Sequence, residues 1–202
     1  MLHWHLRHVS SPPGPKFINP LHSGLFLNPK PQLGLVSCSS VALEAGGVTE
    51  TGKFTLNDTT LIGRGLEMSG DAKDVDLEQL NSLFAKVGFP KRDISKLRIA
   101  LEHTVSLLVV TESDGGQLVA FARATGDAVF NAIIWDVVVD PRYQGSGLGK
   151  ALMERLLAQL LGLGICNIAL YAEPNVVGFY RPLGFAPDPA GIRGMAYSRK
   201  RR

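Results

Sequence analysis

The most informative stretch of the chain is Ile133-Ile-Trp-Asp-Val-Val-Val139, followed by Asp140-Pro141, by Arg142-Tyr-Gln-Gly-Ser-Gly-Leu-Gly-Lys150, and by Ala151-Leu-Met-Glu-Arg-Leu-Leu157. The first run is branched and aromatic and predicts a strand. Asp-Pro stops it, because proline cannot donate to a sheet ladder. The last run is amphipathic and predicts a helix. Glycines between a strand and a helix let the backbone approach a ligand, while the first N–H groups of the helix point outward unpaired. That is an anion site, and the expected ligand carries phosphate. Spacing separates the candidate phosphate loops. A nucleotide-triphosphate loop needs Gly-x-x-x-x-Gly-Lys-Ser/Thr, but Gln144 holds the first glycine position and Ala151 follows Lys150. A dinucleotide loop needs a third glycine where this chain has Lys150. The segment does match Gln/Arg-x-x-Gly-x-Gly/Ala, as Gln144-Gly-Ser-Gly147-Leu-Gly149 and, overlapping, as Arg142-Tyr-Gln-Gly145-Ser-Gly147.

Working outward, the chain upstream of this stretch alternates strand and helix signals. Residues 59–63 read as a short strand. Residues 76–84 carry apolar side chains at helical spacing, with Asp76 placed as an N-cap. Gly88 and Pro90 end that helix, and Ile94, Leu97 and Leu101 mark a second. Residues 105–110 and 118–124 read as strands joined at Ser113-Asp-Gly-Gly116, with a further strand over 132–139. Downstream, residues 167–172 form the next strand, and Cys166 at its start is expected in the core. The pattern is a hairpin meander with helices, then β-α-β-α: a mixed α/β sheet.

The first 43 of the 202 residues contain no Asp or Glu. They contain Pro12, Pro13, Pro15, Pro20, Pro29 and Pro31, many serines, and His3, His5, His8 and His22. Such a segment cannot bury a periodic apolar face. Its acid-poor, Ser-rich profile is that of a plastid transit peptide, with an unaddressed tail as the alternative. The reading is therefore a disordered leader over 1–58, a domain over 59–198 and a basic tail over 199–202. About 45% of residues are hydrophobic and the net charge is +3. These values suit a packed domain and give no case for nucleic-acid binding. Two distant cysteines, Cys38 and Cys166, exclude a disulfide-rich scaffold and a cysteine zinc site. Nothing calls for a metal, and no apolar run is long enough for a membrane span.

A second motif, Glu173-Pro-Asn175 with Val176-Val-Gly-Phe-Tyr180-Arg-Pro-Leu-Gly184-Phe185, follows the next strand. With the glycine bend, it makes the chain resemble the GCN5-related N-acetyltransferase (GNAT) superfamily over roughly residues 59–197. Within that superfamily it is similar to the plant plastid branch, which includes serotonin and protein N-acetyltransferases. Residues 134–139, Gly191-Ile-Arg-Gly-Met195 and the leader carry that closer likeness. Pro182 departs from the motif and shortens its helix.

The resemblance implies the GNAT fold, an α/β (α+β) architecture whose mixed central sheet has splayed parallel strands flanked by helices. It implies acetyl-CoA as co-substrate. The backbone of Val137, Val138 and Val139 would pair with the pantetheine arm. Gln144, Gly145, Ser146, Gly147, Leu148, Gly149 and Lys150 would hold the pyrophosphate, with charge from Lys150 or Arg142 unless these are merely solvated. Asn175 would contact the pantetheine, or else cap a helix. Tyr180 would protonate the departing thiolate, since a phenol stays protonated at neutral pH; the alternative is an aromatic packed beside Phe179. Asp136 sits in an apolar strand and is a candidate base, the alternative being a structural acid paired with Arg123. Glu173 is the second candidate base. His103 reads as a surface residue.

The implied reaction is direct attack of a primary amine in a ternary complex. The acceptor is an arylalkylamine such as serotonin. The alternatives are plastid protein Lys or N-terminal amines, or an acetyl-CoA-binding module without turnover. Oligomeric state stays open, a homodimer included. The expected compartment is the chloroplast stroma.

Overall fold

The computed structural model describes residues 54–191, 193–195 and 197. The four leader histidines, Cys38 and the basic tail 199–202 lie outside the described residues, as do residues 1–53 of the expected leader.

The chain opens with α1 (Asp58–Gly63) where a strand is predicted over 59–63. The Asn57 side chain accepts from the Thr60 N–H at 2.7 Å and caps the turn. That local bond overrides the strand preference of Thr59, Thr60 and Ile62. The first strand, β1 (Leu66–Ser69), comes later. Asp76 caps α2 (Leu77–Lys86) as read, accepting from the Glu78 and Gln79 N–H groups. Asp93 caps α3 (Ile94–Glu102). Then come β2 (Ser106–Glu112), β3 (Leu118–Gly126) and β4 (Asn131–Val139). After the glycine bend follow α4 (Leu148–Gly162), β5 (Asn167–Leu170) and the single turn α5 (Val177–Tyr180). Pro182 sits in a 3-10 turn, Arg181–Leu183, directly after α5.

One sheet runs in the order β1-β2-β3-β4-β5. The first three pairings are antiparallel and β4 with β5 is parallel. The sheet is covered on both faces. Leu148, Leu152, Leu156 and Leu160 of α4 pack with Val119, Ala122 and Ile134 on one side. Leu80, Leu83 and Phe84 of α2 and Leu97 of α3 pack with Val109, Phe121 and Val138 on the other. This is the mixed sheet flanked by helices that the resemblance implies. Cys166 is exposed rather than in the core, because β5 starts one residue later, at Asn167, at the margin of the sheet.

Two features of β4 shape the site. Its parallel pairing with β5 spans only Asn131↔Asn167 to Ile134↔Leu170, while β4 continues to Val139. From Trp135 on, the two strands part. Beside the fork lies a bulge: Arg123 pairs with Trp135 and Phe121 with Val138, so two steps on β3 face three on β4. The extra residue reverses the alternation of side chains. Ala132 and Ile134 face α4, and beyond the bulge Val137 and Val139 pack on that same side.

Candidate active site

Asp136 is the residue that makes the bulge. It has φ 57°, in the left-handed region that Asp enters more readily than most side chains. Its carboxylate is 5% exposed and is gripped by two guanidinium groups. Arg92 donates from both terminal nitrogens, one of them at 2.7 Å, and Arg123 Nε donates at 2.7 Å. Burial pushes the Asp136 carboxyl up, but the hydrogen bonds and charges of Arg92 and Arg123 outweigh it and hold the acid below its ordinary value. A carboxylate so held is a poor proton acceptor. The pairing with Arg123 that was the alternative for Asp136 is present, with Arg92 as a second partner.

Arg92 had no signal in the sequence, since it lies 44 positions from Asp136. Its own loop is fixed by Asn81, which accepts from the Arg92 N–H at 2.8 Å and donates to the Arg92 carbonyl at 2.7 Å. Its guanidinium also lies 4.6 Å over the Phe84 ring. The loop between α2 and α3 is thereby tied to the bulge.

The bend after β4 is built from Asp140. Its buried carboxylate accepts from the Arg142 N–H at 3.0 Å, from Arg142 Nε at 3.1 Å and from Lys86 Nζ at 2.9 Å. Burial raises this acid, but those donors hold it well below the usual carboxylate range. Arg142 also reaches Glu112 at 3.3 Å, so its charge is spent locally. Gln144 Nε2 donates to the Val139 carbonyl at 3.0 Å, and Ser146 Oγ to the Tyr143 carbonyl at 2.5 Å. Gly145 and Gly147 have φ 73° and 87°, conformations costly for side-chain-bearing residues. Gly147 is the N-cap of α4 and brings no side chain to its first-turn N–H groups. Those donors remain directed at the space before the helix, where its dipole favours an anion. Lys150 lies 3.8 Å from Glu154, one turn on.

Across the fork, a turn over residues 173–176 leads into α5, with the Val176 N–H donating to the Glu173 carbonyl at 3.0 Å. Glu173 and Asn175 are both exposed. Tyr180 is half-buried, its ring edge-on to Phe179 at 4.9 Å and to Phe185 at 5.9 Å. Burial pushes its phenol above the usual value. A β-carbon on Gly149 would meet Val139 at 3.4 Å and the Phe179 ring at 3.6 Å. The start of α4, the end of β4 and the second motif therefore converge. His103, as read, is an exposed residue, at the end of α3.

The arrangement has the parts for holding a phosphorylated thioester. Beyond Ile134 the edge of β4 is no longer paired with β5, with the Val139 carbonyl taken by Gln144; an N–H-rich bend follows it, and a protonated phenol sits beside the helix start. Residues 76–185 match the acetyltransferase (GNAT) family. The chain is 54% identical over 166 residues to GCN5-related N-acetyltransferase 1, chloroplastic, from Arabidopsis thaliana, covering 82% of this chain and 84% of that protein. It is 56% identical over 147 residues to serotonin N-acetyltransferase 2, chloroplastic, from Oryza sativa subsp. japonica, covering 72% and 74%. Among solved structures, a GNAT-family acetyltransferase from Streptococcus pneumoniae superposes with a TM-score of 0.57 at 27% identity, covering 67% of this chain and 99% of that one.

Proposed function

The chain belongs to the acetyltransferase (GNAT) family, and on that premise we propose that it is a chloroplast enzyme transferring acetyl from acetyl-CoA to the primary amine of an arylalkylamine such as serotonin. The observation that carries the chemistry is the fork at Ile134 and Leu170 with the glycine bend that opens at Asp140, six residues beyond the end of the pairing. The similarity to a chloroplastic serotonin N-acetyltransferase supports the acceptor and the compartment.

Acetyl-CoA supplies an activated acyl group on sulfur. The edge of β4 at Val137, Val138 and Val139, past its pairing with β5, receives the amide-bearing arm by strand addition. Backbone N–H groups of Gly145 and Gly147 in the bend and of Leu148 and Gly149 at the start of α4 receive the diphosphate, while those of Gln144 and Ser146 donate within the bend. Lys150 adds positive charge at its rim, shared with Glu154. Asn175 offers a side-chain amide at the opposite wall of the fork. The bulge at Asp136 aims this edge, so Asp136 acts through the backbone and not as a base.

For transfer, the amine must reach the acyl carbon as a free base. Glu173, exposed at the exit of β5, takes the ammonium proton directly or through water. The nitrogen lone pair forms the amide bond as the carbon–sulfur bond breaks, and Tyr180 gives its proton to the departing sulfur. Its raised pKa keeps that proton in place across the neutral range.

Two measurements test this reading. Steady-state turnover of acetyl-CoA with serotonin and with a Lys peptide identifies the acceptor class; turnover of the peptide alone makes the enzyme a protein acetyltransferase. Tyr180→Phe should lower kcat by roughly tenfold or more, about 1.4 kcal/mol, with acetyl-CoA affinity nearly unchanged. An unaltered kcat would remove Tyr180 from the chemistry.

A further inference from the structure

We infer that Trp135 and Tyr171 form the seat for the flat ring of the acceptor, making them the residues that select aromatic over aliphatic amines; this rests on the acetyl-transfer reading above. The last parallel pair is Ile134↔Leu170. Trp135 and Tyr171 are the next residue on each strand, so they stand on the two lips of the fork. Their rings face each other at 5.5 Å with 38° between planes. Trp135 is held from behind, its indole Nε1 donating to Thr125 Oγ1 at 2.9 Å. Tyr171 is 59% exposed despite this contact. A rigid aromatic backed by an exposed one presents a surface to which a further ring can stack.

The face is the one an acceptor needs. Trp135 is the cross-strand partner of Arg123, whose guanidinium reaches Thr104 beyond α3, so both point to the α2 and α3 side. The buried leucines of α4 cover the opposite side. An amine on this side meets the thioester across the fork from the helix that binds the phosphates. Electrostatics then separates ring stacking from a cation held over the rings. Arg123 and Arg92 share a single carboxylate, Asp136, which adjoins Trp135. That cluster carries a net positive charge, which disfavours an ammonium on the seat and leaves it to a neutral ring. The ammonium end is better placed toward Glu173, two residues beyond Tyr171.

The test is a two-acceptor comparison, tryptamine against n-pentylamine, with wild type, Tyr171→Leu and Tyr171→Phe. Because Tyr171 is largely exposed, its replacement spares the core. Tyr171→Leu should raise KM for tryptamine roughly five- to tenfold with little change in kcat. It should leave pentylamine kinetics and acetyl-CoA KM as in wild type. Tyr171→Phe should behave as wild type toward both amines. Equal effects on the two amines, or none on tryptamine, overturn the seat while leaving acetyl transfer intact. Wild type that binds acetyl-CoA but acetylates neither amine overturns the arylalkylamine acceptor and the seat together.

Discussion

Asp136 is the side chain on which most of the local geometry turns. A non-glycine residue with positive φ in a strand is costly, and the two guanidinium groups are what hold it there. Replacing it leaves Arg92 and Arg123 without their shared carboxylate. Asp136→Asn should therefore lower unfolding stability by about 3 kcal/mol in urea denaturation at pH 7. A midpoint equal to wild type would show that the ion pairs contribute nothing. The sign with pH follows from the depressed acid. Its contribution is fully present above the unfolded carboxylate value, about 4, and is lost as pH falls through the lower folded value. The wild type should thus lose more stability than Asp136→Asn when both are taken from pH 6 to pH 3. At this scale the sequence was half legible. An acid inside Ile-Ile-Trp-Asp-Val-Val-Val stands out by its desolvation cost, and Arg123 was visible as a partner. The decisive donor, Arg92, arrives from a distant loop that only folding brings near. Tyr171 was unreadable as a companion of Trp135 until the parallel register placed them on adjacent lips.

Among the elements, the bend between β4 and α4 carries the binding function, and its glycines divide into two kinds. Gly147 has φ 87°, so a β-carbon there strains the backbone and stands beside the N–H groups of the helix start. Gly147→Ala should cost about 1 kcal/mol of stability and weaken acetyl-CoA binding. Gly149 lies inside the first turn of α4, and its added carbon would meet neighbours only at ordinary contact distances. Gly149→Ala should fold as well as wild type. Thermal melts with calorimetric titration of both variants check this, and equal losses in the two would contradict it. The bend was legible because glycine spacing and the flanking periodicities are local signals. The first element was not. Thr59-Thr-Leu-Ile62 has strand composition, but Asn57 supplies a helix cap that outweighs it. The strand β5 ends two residues short of the expected 167–172, because the chain leaves the sheet at Leu170 to open the fork.

For the molecule as a whole, the described part begins earlier than the reading of 59–198 suggests, and α4 shows why. Glu154 accepts from the Thr55 N–H at 2.7 Å and from its hydroxyl at 2.5 Å. Arg155 donates to the Leu56 carbonyl at 2.8 Å, pairs with Asp58 at 2.5 Å and lies 4.3 Å over the Phe54 ring. Two adjacent residues of the central helix thus strap residues 54–58 to the fold. A chain beginning at residue 59 should melt several degrees lower than one beginning at residue 54, since it strands Glu154 and Arg155. Identical melting of the two would show the strap to be idle. The alternation of helix and strand, and with it the two-faced sheet, was readable from periodicity. This strap was not, because an ion pair and hydrogen bonds 97 and more positions apart leave no local pattern.

The central claim is that the bend between Val139 and α4 grips the diphosphate of a thioester carrier. Calorimetric titration with acetyl-CoA and, separately, with S-acetylpantetheine, which has the same thioester but no diphosphate, tests it most directly. The account predicts one shared site with acetyl-CoA bound roughly a hundredfold tighter or more, the worth of two charge-assisted hydrogen bonds. Equal affinity for the two compounds would contradict it.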